Sequence, residues 1–156
     1  MAALAVVPML RAQDRPGPAA AGAFNAVADS ALLAMTRRAE ELGVKGVAVV
    51  AYVEGETVKA WSSKMAVVGS MTEAPAGEKR GANLLGIAYA KASEMAETLK
   101  DSGRAGRPPM TGEFGWQGGL IQKGRTGHLI AAFSGGPSED DVKISRAGLE
   151  VMAERL

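Results

Sequence analysis

The sequence predicts an α+β domain, an antiparallel sheet of two hairpins with helices packed against it. Three observations carry this. Gly115 to Gly136 reads GWQGGLIQKGRTGHLIAAFSGG, in which two short apolar runs (Gly119 to Gln122 and His128 to Phe133) flank the polar turn Lys123-Gly124-Arg125-Thr126. That is the pattern of a β-hairpin. Gly46 to Val53, GVAVVAYV, is the β-branched-rich run of a buried strand, followed by a turn at Glu54-Gly55-Glu56 and a returning run from Thr57 into Trp61. Glu78 to Ser102 carries Leu84, Leu85, Ile87, Ala88, Ala92, Met95, Ala96 and Leu99 as one apolar helical stripe. The element order is α, ββ, α, ββ, α.

The 156 residues make one domain by size, with an N-terminal extension over 1–22 and the folded unit over 23–156. Met1 to Leu10, MAALAVVPML, is similar to the latter half of a secretory signal peptide, without the basic start and too short to span a membrane. Export to the periplasm or medium and a cytoplasmic location both stay open. Asp14 to Gly22 is rich in Pro, Gly and Ala and reads as a linker.

From Phe24 to Leu42, apolar residues recur at three- and four-residue steps, and Gly43 is a natural helix stop. Ser62 to Gly77 reads as a loop with at most a short fifth strand at Ala66 to Val68. Gly81 weakens the start of the long helix and Gly103 ends it. Arg104 to Trp116 is an irregular connection, and a loop that long in a compact domain is more often functional than idle. Ser138-Glu139-Asp140-Asp141 supplies a cap and first-turn acids for a last helix.

Composition removes several function classes. The 18 basic and 17 acidic residues nearly cancel, giving no general attraction to nucleic acid or anionic membranes. The absence of cysteine excludes disulfides, thiolate metal sites and a Cys nucleophile. His128 is the single histidine, so a multi-histidine metal site is impossible. It reads as a surface or partly buried polar group rather than a base or ligand. There is no nucleophile elbow, and Gly115 to Gly119 lacks the Lys-Ser/Thr ending of a phosphate loop.

Two constellations remain. Glu94 and Glu97, three apart on the long helix, place two carboxylates on one face, either for a hard cation such as iron or as an ordinary solvated face. Ser134-Gly135-Gly136 feeding the last helix offers free N–H groups to a carboxylate, with plain helix capping as the simpler reading. Trp61, Tyr89 and Trp116 are suited to a ligand, a core or an oligomer interface.

Gly118-Gly119-Leu120-Ile121, the turn at Gly124, Ala131-Ala132-Phe133-Ser134-Gly135-Gly136 and Asp141 through Ala147-Gly148-Leu149 resemble the GlcG/HbpS-like family, also called the haem-degrading domain family. Ala90-Lys91-Ala92-Ser93 is similar to a segment of that family's long helix, while Gln122 stands where the family carries proline. The resemblance runs from about Gly46 to the C-terminus. It implies a profilin-like α-β-α fold, a homo-oligomer, and binding of haem or a related tetrapyrrole. It also implies iron on a Glu-x-x-Glu pair, which here is Glu94 and Glu97.

The sequence therefore predicts a small-ligand-binding protein, its pocket formed at a subunit interface from Lys91, Arg104, Arg107, Trp116, Gly118, Gly119, Ser134 and Gly135. The alternatives are a non-catalytic homo-oligomeric assembly module, and a small-molecule enzyme using Lys91 or His128. No catalytic constellation is recognisable.

Overall fold

The structure, a computed structural model, describes residues 18–55, 58, 60–74, 77 and 80–156. The signal-like stretch, Glu56 and Thr57 of the first turn, and Glu78 at the expected helix start lie outside the described residues. The elements are α1 (Pro18–Leu42), β1 (Gly46–Glu54), β2 (Ala60–Val68), β3 (Thr72–Glu73), β4 (Ala82–Asn83), α2 (Leu84–Thr98), β5 (Gly119–Lys123), β6 (His128–Ser134) and α3 (Ser138–Ala153).

The fold is α+β, as the residue patterns predict. Strands run β2-β1-β6-β5, all antiparallel, so the two hairpins lie side by side and their inner strands β1 and β6 pair. Val47 stands opposite Ser134 and Val53 opposite His128. The short strand expected at Ala66 to Val68 is the end of β2, paired with Gly46 to Ala48, and β3 and β4 form a separate ribbon leading into α2.

The continuous apolar run of β1 is explained by burial on both faces. Ala48, Val50 and Tyr52 meet α1 and α3 together with Leu129, Ala131 and Phe133 of β6. Val47, Val49, Ala51 and Val53 meet α2 with Ile130 and Ala132. Each fully buried valine contributes about 1.5–3 kcal/mol of burial free energy. The result is three layers, with one helix on one side of the sheet and two on the other.

Four expectations are corrected. α1 begins at Pro18 rather than Phe24, because proline fits a first helical turn and the alanines after it favour helix, so Pro18 to Gly22 is helix and not linker. β2 spans nine residues through Ser62, Ser63 and Lys64, where a loop is expected. It is an edge strand, and a strand covered on neither face completely tolerates such polar residues. α2 is shorter than Glu78 to Ser102. Asn83 caps its start by accepting the Gly86 N–H, and Leu99 ends it in a left-handed conformation with φ 53°. At α3, Pro137 takes the cap position and no side chain caps the helix, so the expected Ser138 cap is absent.

Candidate functional site

The corner where β6 ends and α3 begins gathers most of the polar groups buried in the domain. Lys91 points from the apolar stripe of α2, 3% exposed, and donates to the Phe133 carbonyl at 2.8 Å and to Asp141 Oδ2 at 2.8 Å. Asp141 belongs to α3 on the opposite side of the sheet, and its Oδ1 accepts the Gly136 N–H at 2.9 Å. The pair is almost completely covered, with side chains 4% and 3% exposed. Burial pushes the Asp141 carboxyl up from its ordinary value, against the opposing pull of the Lys91 ammonium and the Lys91 and Gly136 hydrogen bonds.

Two glycines make room for this pair. Gly118 adopts φ 131°, and a Cβ there would fall on Lys91 Nζ and within 2.9 Å of Asp141 Cβ. Its carbonyl accepts Phe133 N–H and the Ser145 hydroxyl, while Gly119 N–H donates to Ser102 Oγ. The Gly118-Gly119 motif therefore lets α2 and α3 touch across the end of β5. Gly135, φ 149°, passes so close to the Lys45 carbonyl that no side chain fits.

Above the ion pair lies a cleft of about 410 Å³, bounded by Glu73, Leu84, Lys91, Trp116, Ser134 and Gly135, with Asp141 in its wall. It adjoins a depression of about 360 Å³ that shares Glu73, Leu84 and Gly135. Both volumes are within or close to the range of small-molecule sites. Of the residues expected at a ligand site, Lys91, Trp116, Ser134 and Gly135 meet here, and Gly118 and Gly119 pack beneath.

Arg104 and Arg107 do not join them. Arg104 is exposed on a turn and lines neither depression. Arg107 lines a separate cavity of about 370 Å³ with Glu94 and Glu113. Its guanidinium grips Glu113 at 2.7 and 3.0 Å and Glu97 at 2.6 Å. Those hydrogen bonds hold Arg107 above its ordinary pKa, Glu113 acting most strongly. Glu113 is pulled down to about 2, first by Arg107 and then by the Met110 N–H.

Glu94 and Glu97 do not share a solvated face. Glu94 is 1% exposed and accepts the Gly103 N–H at 2.7 Å, whereas the Glu97 side chain is 53% exposed and pairs with Arg107. Among the described residues, no group of three or more His, Asp or Glu side chains is placed to hold a metal.

His128 opens β6, five residues before Phe133, hence about 17 Å along the strand from the Lys91 ammonium. Its Nδ1 is buried without a hydrogen-bond partner among the described residues. Trp61 packs against the α2 side of the core, and the Tyr89 hydroxyl meets Ser63 Oγ at 3.1 Å. Trp116 is 52% exposed and its ring lies 4.8 Å from that of Phe114.

Sequence reasoning missed Asp141 as a site residue. Its partner gave the usable signal, because Lys91 interrupts the apolar stripe one turn after Ile87 and one turn before Met95.

No protein-family model and no curated protein matches the chain.

Proposed function

We propose that this protein binds a small molecule in the cleft between the first turns of α2, the 134–138 turn and Trp116. The observation that carries the reading is the convergence of Lys91, Asp141, Trp116, Ser134 and Gly135 on one cleft of about 410 Å³. A half-exposed tryptophan beside a rigid polar floor suits a flat, partly apolar ligand with a hydrogen-bonding end. Lys91 serves this site by position: its ammonium is spent on Phe133 and Asp141 and shapes the floor.

The resemblance to the GlcG/HbpS-like family puts a tetrapyrrole first among such ligands. The cleft and its adjoining depression together suit the ring, with Trp116 to stack on it. Their donor set does not suit ligated iron, since no histidine or tyrosine lines either depression and His128 lies at the other end of β6. The tetrapyrrole reading therefore rests on the ring and its carboxylates alone. Haemin and metal-free protoporphyrin, titrated separately and followed by absorbance and tryptophan fluorescence, are expected to bind with similar affinity. Failure of both at micromolar protein sinks the tetrapyrrole.

A second reading has its own observation. Met110, Phe114 and Trp116, all on one loop, are 48%, 45% and 52% exposed. Apolar groups displayed together in this way suit an interface between copies of the chain. Light scattering that returns a stable monomer would remove it.

A further inference from the structure

We propose that the cavity under the 104–115 loop is a second binding site, one that takes a small organic cation on Glu94. The cavity measures about 370 Å³ and is separate from the cleft under Trp116. Its walls are the Gly103 and Gly106 backbone, Pro108 and Pro109, with Glu94, Arg107 and Glu113 as the charged groups.

Glu94 is the group that requires an explanation. The residue is 99% buried by exposure, and only one of its oxygens is bonded, Oε1 to the Gly103 N–H. Among the described residues no donor meets Oε2, and this oxygen is not sealed from solvent but opens on the cavity that Glu94 lines. The residue sits in the last turns of α2, where the backbone carbonyls already concentrate partial negative charge. Carboxylates buried in this way are ordinarily paired.

Two cations lie nearby. Arg107 is shared between Glu113 and Glu97, and the Lys100 ammonium sits at the rim, 3.5 Å from the Ala105 carbonyl, so two cations stand against three carboxylates, a formal local charge of −1, and neither bonds Glu94. A ligand that brings a positive charge and N–H donors would supply what Glu94 lacks. The proline and glycine walls leave space for an alkyl stem. An ammonium or guanidinium compound fits this chemistry better than a metal ion, because Glu97 and Glu113 are both turned to Arg107.

The test uses the full chain and methylguanidinium chloride, with sodium chloride at matched ionic strength as the control. Amide resonances of Gly103 and Ala105 report the site directly, since Gly103 donates to Glu94. A saturable shift at these amides is expected with methylguanidinium and not with sodium. Glu94→Gln should weaken it about tenfold or more, as loss of a charge-assisted hydrogen bond would. No saturable shift in the wild type, or an equal shift with sodium, overturns the proposal whether or not Glu94→Gln folds. A response to manganese chloride alone overturns it in favour of a metal.

Discussion

The Lys91 ammonium on α2 and the Asp141 carboxylate on α3 meet at 2.8 Å although their helices lie on opposite sides of the sheet. They touch because β5 begins only at Gly119, leaving the end of β6 open, and because Gly118 contributes no side chain there. Asp141 is raised by burial despite its partner, so ionising this carboxyl in the fold costs more than ionising it in water. Lys91→Met, which strands a buried carboxylate, is expected to cost about 3–5 kcal/mol in urea unfolding at neutral pH. Asp141→Asn should cost a similar amount, since it leaves the buried Lys91 ammonium without its countercharge and turns an NH2 donor toward either Lys91 or the Gly136 N–H. A loss below about 1 kcal/mol for either variant would contradict this account.

The same pair fixes a pH dependence. A carboxyl whose folded pKa lies above its unfolded value of 3.8 binds protons more readily in the native state. Its contribution is therefore fully present below pH 3.8 and is lost as pH rises through the folded pKa. Without Lys91 the folded value must move further up. Lys91→Met is therefore expected to regain stability on acidification over a wider range than wild type. Denaturant midpoints measured from pH 7 to pH 4 check it, and parallel curves would count against the pairing.

Gly118→Ala tests the packing itself. The added methyl would collide with Lys91 Nζ and crowd Asp141, on a backbone at φ 131° that side chains rarely adopt. A loss of about 3 kcal/mol or more is expected from strain and steric overlap together. If alanine is tolerated within about 0.5 kcal/mol, the value typical of a surface change, glycine is not needed here for contact between the helices.

The elements that were legible in the sequence are those with one dominant periodicity. GVAVVAYV is apolar at every position because β1 is covered on both faces, and the β5–β6 hairpin is bounded by its own turn chemistry. β2 was legible at its two ends, the run into Trp61 and Ala66 to Val68, but not between them, because at the sheet edge Ser62, Ser63 and Lys64 meet no strong burial constraint and read as a loop. Asn83 is an available signal for the start of α2, a side-chain acceptor three residues ahead of Gly86, whereas the apolar stripe with its flanking residues predicts a longer span. The candidate cleft was half legible. Trp116, Ser134, Gly135 and Lys91 are local features of motifs. Asp141 joins them across 50 residues of chain, and no pattern of spacing carries that contact.

Trp116 separates binding from stability. It is half exposed and packs mainly on Phe114, so Trp116→Ala is expected to change unfolding free energy by no more than about 0.5 kcal/mol. Affinity for the proposed tetrapyrrole should fall by about tenfold, the scale of one lost aromatic stack. An unchanged affinity would move the ligand away from this cleft.

The Arg107–Glu113 pair latches the 104–115 loop, and the latch is expected to open in acid. Glu113 accepts two bonds from Arg107 and one from the Met110 N–H, and these hold its pKa at about 2 against an ordinary 4.5. For a lowered carboxyl the sign is opposite to that of Asp141. Its contribution is present above pH 4.5 and is lost as pH falls toward 2. Arg107 stays charged throughout, so protonating Glu113 alone releases the grip. Amide hydrogen exchange at Met110, whose N–H is bonded to Glu113, should lose protection across that window once the intrinsic pH dependence of exchange is divided out. Glu113→Gln should show the reduced protection already at neutral pH, since a neutral amide makes a weaker bond to Arg107. Protection at Met110 that is unchanged by both acid and this substitution would mean that the loop is ordered by something other than the Arg107–Glu113 pair.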